Sequence, residues 1–97
     1  MTSLETTEFI DCVTHEDCTV RLCGKVYWCC GLSCDKSIPE FRLYVYECDA
    51  NSHEWIRDAF QWKDSTREAC MRHFLEDKYW DGKSFYEVAP DMEWIDL

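Results

Sequence analysis

The sequence predicts an α+β domain: an antiparallel sheet of about four to five strands with one main α-helix, at about residues 66–79, packed on it. Apolar and polar residues alternate with period two over residues 18–30 and again over 40–48, which is typical of half-buried strands. A stripe of helical spacing follows over 66–79. Strands that precede a helix favour an α+β arrangement, and a chain of 97 residues predicts a single domain over 1–97.

The N-terminal segment is predicted to form the first strand. Residues 4–13 mix Thr, Phe, Ile and Val with acidic residues, a composition that suits a strand with one wet face. Residues 14–17 (THED) are polar and predict a turn.

The alternation over residues 18–30 predicts one long strand, with a bulge or bend at Gly24. The alternative is a two-residue hairpin at Gly24-Lys25. That hairpin would place Val20 and Trp28 on opposite faces of the sheet, whereas the continuous strand keeps them on the same face.

The middle of the chain predicts two further strands. Residues 31–39 (GLSCDKSIP) indicate a loop, 40–48 a strand and 49–52 a turn. Residues 53–62 fit either a strand or a helix, and we favour the strand because a capping box at 65–68 (STRE) starts a helix there.

The helix predicted over 66–79 packs its inner side against the sheet. The residues after it predict two further strands. Its inner stripe consists of Ala69, Cys70, His73 and Phe74. Asp81-Gly82 predicts a turn, residues 84–89 (SFYEVA) a strand, and 92–97 (MEWIDL) a short edge strand after Pro90.

Acidity is concentrated at the two ends of the chain. The formal net charge is −10, of which residues 1–20 carry −5, residues 84–97 carry −4 and the middle only −1. Both ends also contain large apolar residues, which predicts that they are folded. If the first and last strands lie side by side, their acids form one face. The predicted partner-binding residues are Glu5, Glu8, Asp11, Glu16, Asp17, Glu87, Asp91, Glu93 and Asp96.

Such a face predicts a basic partner. Phosphates would repel a strongly acidic protein, so direct binding to nucleic acid is disfavoured. A nucleic-acid-binding protein, in contrast, would be attracted and steered by the same charge.

The eight cysteines favour small core residues over a cofactor site. No secretory signal is apparent, which predicts a reducing cytoplasm rather than a disulfide framework. The chain lacks any C-x2-C pair, and no cofactor is expected. The alternative function is a small zinc-binding interaction module in the segment 18–34, with Cys23, Cys29, Cys30 and Cys34 as ligands.

No catalytic constellation stands out, so the chain is predicted not to be an enzyme. A nucleophile needs a base and an orienting group, and nothing in the sequence pairs a cysteine with a histidine. A further hypothesis is that Tyr27, Tyr44 and Tyr46 form an apolar patch that mediates a homodimer. The alternative, which we favour, is that Tyr44 and Tyr46 lie on a second buried sheet face covered by the helix.

The whole chain resembles, in composition, the small acidic inhibitors that bacteriophages make against host defence. Residues 60–69 (FQWKDSTREA), 73–75 (HFL) and 80–82 (WDG) are similar in style to small phage open reading frames. The resemblance to DNA-mimicking anti-CRISPR and anti-restriction proteins implies a non-enzymatic inhibitor. Such an inhibitor would act in the host cytoplasm, where it blocks access of nucleic acid to its partner.

Overall fold

A five-stranded antiparallel sheet forms the centre of the molecule. The computed structural model describes residues 1–35 and 37–95. The strands are β1 (Cys18–Leu22), β2 (Lys25–Asp35), β3 (Glu40–Cys48), β4 (Trp55–Asp64) and β5 (Glu93–Ile95). They lie in the order β4-β3-β2-β1-β5, and every pair is antiparallel. The predicted α+β class and strand number are confirmed.

The helices cover one face of this sheet. They are α1 (Ser3–Val13), α2 (Arg67–Glu76), the short α3 (Phe85–Val88) and a 3-10 turn at Ala89–Asp91. The Phe9 ring of α1 meets Trp94 of β5, and Phe74 of α2 meets Phe60 of β4. Phe85 of α3 lies between Phe9 and Phe74. These rings form the core together with sheet residues such as Val20, Tyr27, Cys29, Leu43 and Val45.

The strand predicted for residues 4–13 is wrong, because this segment is helix α1. Thr2 caps the helix: its hydroxyl accepts from the backbone N–H of Glu5, and the Glu5 carboxylate accepts from the backbone N–H of Thr2. Phe9 and Val13, four residues apart, are fully buried. The capping box and this spacing override the β propensity of the threonines.

The single strand predicted over residues 18–30 is also wrong, because the chain turns at Cys23 and Gly24. Both residues have positive φ, 51° and 77°, as a two-residue hairpin turn requires. Val20 pairs with Tyr27 on the helix side, so Trp28 lies on the opposite face. The hairpin alternative is therefore correct, but its two turn residues are Cys23 and Gly24 rather than Gly24 and Lys25.

The other elements in the middle of the chain largely match their predictions. The loop over 31–39 is shorter than predicted, because β2 continues to Asp35 across an irregularity between Cys30 and Ser33. The strand over 40–48, the turn over 49–52 and the strand reading of 53–62 are confirmed. Helix α2 is confirmed too, although Thr66 caps it and it ends at Glu76.

The C-terminal segment contains the last correction. The strand predicted for residues 84–89 is helix α3, which starts with a capping box between Ser84 and Glu87. The turn at Asp81-Gly82 is confirmed, and both residues have positive φ. The short edge strand is confirmed as β5, beside β1.

Candidate binding surfaces

The two ends of the chain pack together as helix against helix, and not as the adjacent strands on which the predicted acidic face depended. The amino group of Met1 donates to the carbonyl oxygens of Ala89, at 2.9 Å, and Met92. The Phe9 ring stacks on Phe85 with centroids 5.6 Å apart. Because these contacts span nearly the whole sequence, residues 1–17 and 84–95 form one continuous part of the molecule, which we call the terminal surface.

A shallow groove marks the junction of the two segments. It has a volume of ≈ 330 Å³, and Thr6 and Thr7 of α1 line it opposite Tyr86 and Pro90. Tyr86 is 56% exposed. The terminal surface therefore offers an exposed aromatic side chain at the junction of its two segments.

Acidic residues are the only charged side chains of the described terminal surface. Neither segment contains Lys or Arg. The eight predicted acids that the structure describes are all exposed: Glu5, Glu8, Asp11, Glu16, Asp17, Glu87, Asp91 and Glu93. The ninth, Asp96, lies outside the described residues.

Two of these acids take part in capping the N-termini of the helices to which they belong. Glu5 and Glu87 each accept the backbone N–H of the capping residue, Thr2 or Ser84, at 3.0 and 3.1 Å. These backbone hydrogen bonds lower the pKa of both carboxyl groups. Lys78 and Lys83 add a smaller lowering at Glu87, so two bases border the terminal surface there.

Three further acids have local partners. Asp17 accepts from the Trp28 indole at 3.1 Å and from the Gly31 backbone at 2.8 Å. Glu93 forms an exposed ion pair with Arg21 at 3.1 Å. Glu16 accepts from the Cys12 thiol at 3.0 Å.

The remaining three acids, Glu8, Asp11 and Asp91, have no side-chain partner within residues 1–35 and 37–95. Glu8 and Asp11 lie three residues apart on α1 and are therefore neighbours on its surface. Asp11 is in the last turn, where the helix dipole disfavours negative charge, and no base offsets it there. These charges do not stabilise the fold.

A second surface is the face of the sheet that no described helix covers, which we call the outer face. Its described exposed and half-buried side chains include Arg21, Trp28, Cys30, Ser33, Glu40, Arg42, Tyr44, Tyr46, Trp55, Asp58, Gln61, Lys63, Glu93 and Ile95. Among the described side chains of this face three bases balance three acids, in a molecule of charge −10.

Aromatic rings occupy the middle of the outer face. Trp28 pairs with Tyr46 across β2 and β3, and the Tyr44 and Tyr46 rings lie 6.4 Å apart. The alternative of burial under the helix is wrong for Tyr44 and Tyr46, since the helices pack on the other side. Tyr27, predicted with them, is instead 1% exposed in the core, with its ring 4.9 Å from Trp80. Its burial raises its pKa to about 12.

The cysteines of the zinc alternative do not come together. Cys23 lies in the hairpin turn and Cys34 near the far end of β2, both exposed. Cys29 is fully buried on the helix side, and Cys30 lies on the outer face. Across the described part of the chain, no group of three or more His, Cys, Asp or Glu side chains is arranged to hold a metal ion.

Comparison with family models, curated proteins and solved structures gave no match to this chain. Among residues 1–35 and 37–95, no helix has the length and apolar character needed to cross a membrane. The structure defines an α+β protein with one helix-covered and one open sheet face.

Proposed function

We propose that this is a non-enzymatic binding protein whose terminal surface occupies the nucleic-acid site of a basic partner protein. The observation that carries the proposal is the packing of residues 1–17 against 84–95, anchored by Met1 and Phe9. This packing brings the acid-bearing segments from opposite ends of the sequence into contact.

The arrangement of charge supports recognition rather than stability. Glu8, Asp11 and Asp91 are exposed and unpaired, and the two segments that carry them contain no Lys or Arg. The charge of Asp11 is also unfavourable with respect to the dipole of its helix. A field of one sign steers association with a basic site and rejects acidic competitors. Together with the resemblance to phage inhibitors, this points to a component of a bacterial defence system as the partner.

The test is competition with DNA for purified CRISPR effector complexes and restriction endonucleases, followed by electrophoretic mobility shift at graded salt. We expect the protein to displace DNA from at least one of them, and less effectively as salt rises. A variant with Glu8→Gln, Asp11→Asn and Asp91→Asn should inhibit about tenfold less, since three exposed charges each contribute roughly 0.5 kcal/mol.

A matched control separates the terminal surface from bulk charge. Glu54→Gln, Glu68→Gln and Glu76→Gln remove three exposed acids outside the terminal surface and give the same net charge. This control should inhibit like the wild type. Equal losses in both triple variants, or no displacement of DNA from any of the tested complexes, would contradict the proposal.

A second candidate function concerns the outer face, which suits a second copy of this chain. Five strands of three to eleven residues, about 4.8 Å apart and rising about 3.3 Å per residue, give on the order of 600 Å², somewhat below the roughly 800 Å² per partner of a standard interface. The described charges of this face balance, and it is rich in Trp and Tyr, which are enriched in protein interfaces. Two copies can meet there while helices α1 and α3, which carry Glu5, Glu8, Asp11 and Glu87 of the terminal surface, remain free.

A further inference from the structure

Two cysteine sulfurs are in direct contact where α1 meets the sheet. The Sγ atoms of Cys12 and Cys18 lie 3.1 Å apart. Cys12 belongs to the last turn of α1, Cys18 is the first residue of β1, and the turn at residues 14–17 joins them. The fold thus holds two thiols at a distance from which a covalent bond needs only a small movement.

We infer that Cys12 and Cys18 are a redox modification site that closes to a disulfide when the protein meets a low-molecular-weight disulfide such as oxidised glutathione. The Cys12 thiolate attacks one sulfur of the oxidant, forms a mixed disulfide and releases one glutathione thiolate. The Cys18 thiolate then attacks the Cys12 sulfur and releases the second. Two protein thiols lose two electrons and two protons, and one oxidised glutathione becomes two reduced molecules.

Access determines which thiol reacts first. Cys12 is half-buried, whereas Cys18 is only 5% exposed. Both line a cleft of ≈ 270 Å³ that also contacts Trp28, Trp94 and Ile95. An oxidant that enters this cleft reaches Cys12, and the resulting mixed disulfide is presented to Cys18.

The surroundings make this a slow site. Burial raises the pKa of the Cys12 and Cys18 thiols, and the carboxylates of Asp11, Glu16 and Asp17 raise them further. Because the thiolate is the reacting species, the pair stays reduced under mild conditions and closes under sustained oxidant. Closure ties the acid-bearing helix α1 to β1.

Tryptic peptide mapping tests the site directly. Residues 1–20 contain no Lys or Arg, so one tryptic peptide, 1–21, carries Cys12 and Cys18 and no other cysteine. After incubation of the full chain with oxidised glutathione and alkylation, this peptide should be lighter by two hydrogens and free of label. We also expect the Tm to rise by about 5–10 °C.

Single-cysteine variants test which thiol reacts first with oxidised glutathione. Cys18→Ser should accumulate glutathione on Cys12, whereas Cys12→Ser should leave Cys18 unmodified. Cys23→Ser, which removes an exposed cysteine outside the pair, should not prevent closure. The inference is overturned if peptide 1–21 stays alkylated at both cysteines, or stops at a mixed disulfide, in the wild-type chain.

Discussion

Gly31 shows how one residue fixes the path of a distant turn. A Cβ placed on Gly31 would lie 2.6 Å from the carbonyl carbon of Glu16 and 2.7 Å from its oxygen. The Gly31 N–H also donates to Asp17. The turn after α1 therefore crosses β2 where β2 has no side chain.

We expect Gly31→Ala to lower the free energy of unfolding by about 1–3 kcal/mol, because backbone atoms must move to admit the methyl group. Urea unfolding of the two proteins measures the difference. Gly24→Asn is the control: Gly24 faces open space at φ 77°, a conformation that Asn tolerates. If Gly31→Ala were as stable as Gly24→Asn, the close approach would not be a feature of the molecule in solution.

At the scale of elements, capping residues in the sequence indicate two helices that strand propensities alone do not predict. Thr2-x-x-Glu5 and Ser84-x-x-Glu87 are both capping boxes, the same signal that located α2, and each starts a helix that was predicted as a strand. The hairpin turn was harder to locate, because Cys23 is not a residue type that usually adopts positive φ.

Helix α1 should show a specific dependence on pH through its cap. The hydrogen bonds from Thr2 lower the pKa of Glu5 in the folded state. A lowered folded-state pKa stabilises the protein above the unfolded pKa of Glu, about 4.3, and this contribution is lost as the pH falls through the folded-state pKa.

Glu5→Gln keeps a hydrogen-bond acceptor but removes the charge. We therefore expect the variant to be less stable than the wild type at pH 7 and the difference to shrink below about pH 4. Urea midpoints from pH 7 to pH 3 give this difference. Glu8→Gln, on the same helix but without a capping bond, is the control, and identical pH profiles for the two variants would contradict the role of Glu5.

At the scale of the molecule, the segregation of charge to the chain ends is visible in the sequence, whereas the contact of the two ends through helices is not. Which face of the sheet stays open was not predictable, because the hairpin at Cys23 reverses the phase of the alternation. Tyr27 thereby enters the core, and Trp28 joins Tyr44 and Tyr46 outside. The molecule has an acidic terminal surface and an aromatic outer face whose described charges balance.

These two surfaces should respond to salt in opposite ways. Association of two copies through the outer face brings together two molecules of charge −10, so screening should favour it. We expect light scattering to show twice the monomer mass of 11.6 kDa at high concentration, with the dimer strengthened as salt rises. Binding of a basic partner by the terminal surface should weaken over the same range.

Tyr46→Arg tests which face pairs, because it places a cation among the aromatic rings of the outer face, which both copies would bury. This variant should be monomeric, whereas Tyr86→Arg, at an exposed tyrosine on the helix side, should dimerise like the wild type. A wild-type chain that stays monomeric at every salt concentration would exclude self-association. Loss of the dimer in Tyr86→Arg alone would place the contact on the terminal surface, in competition with its proposed partner.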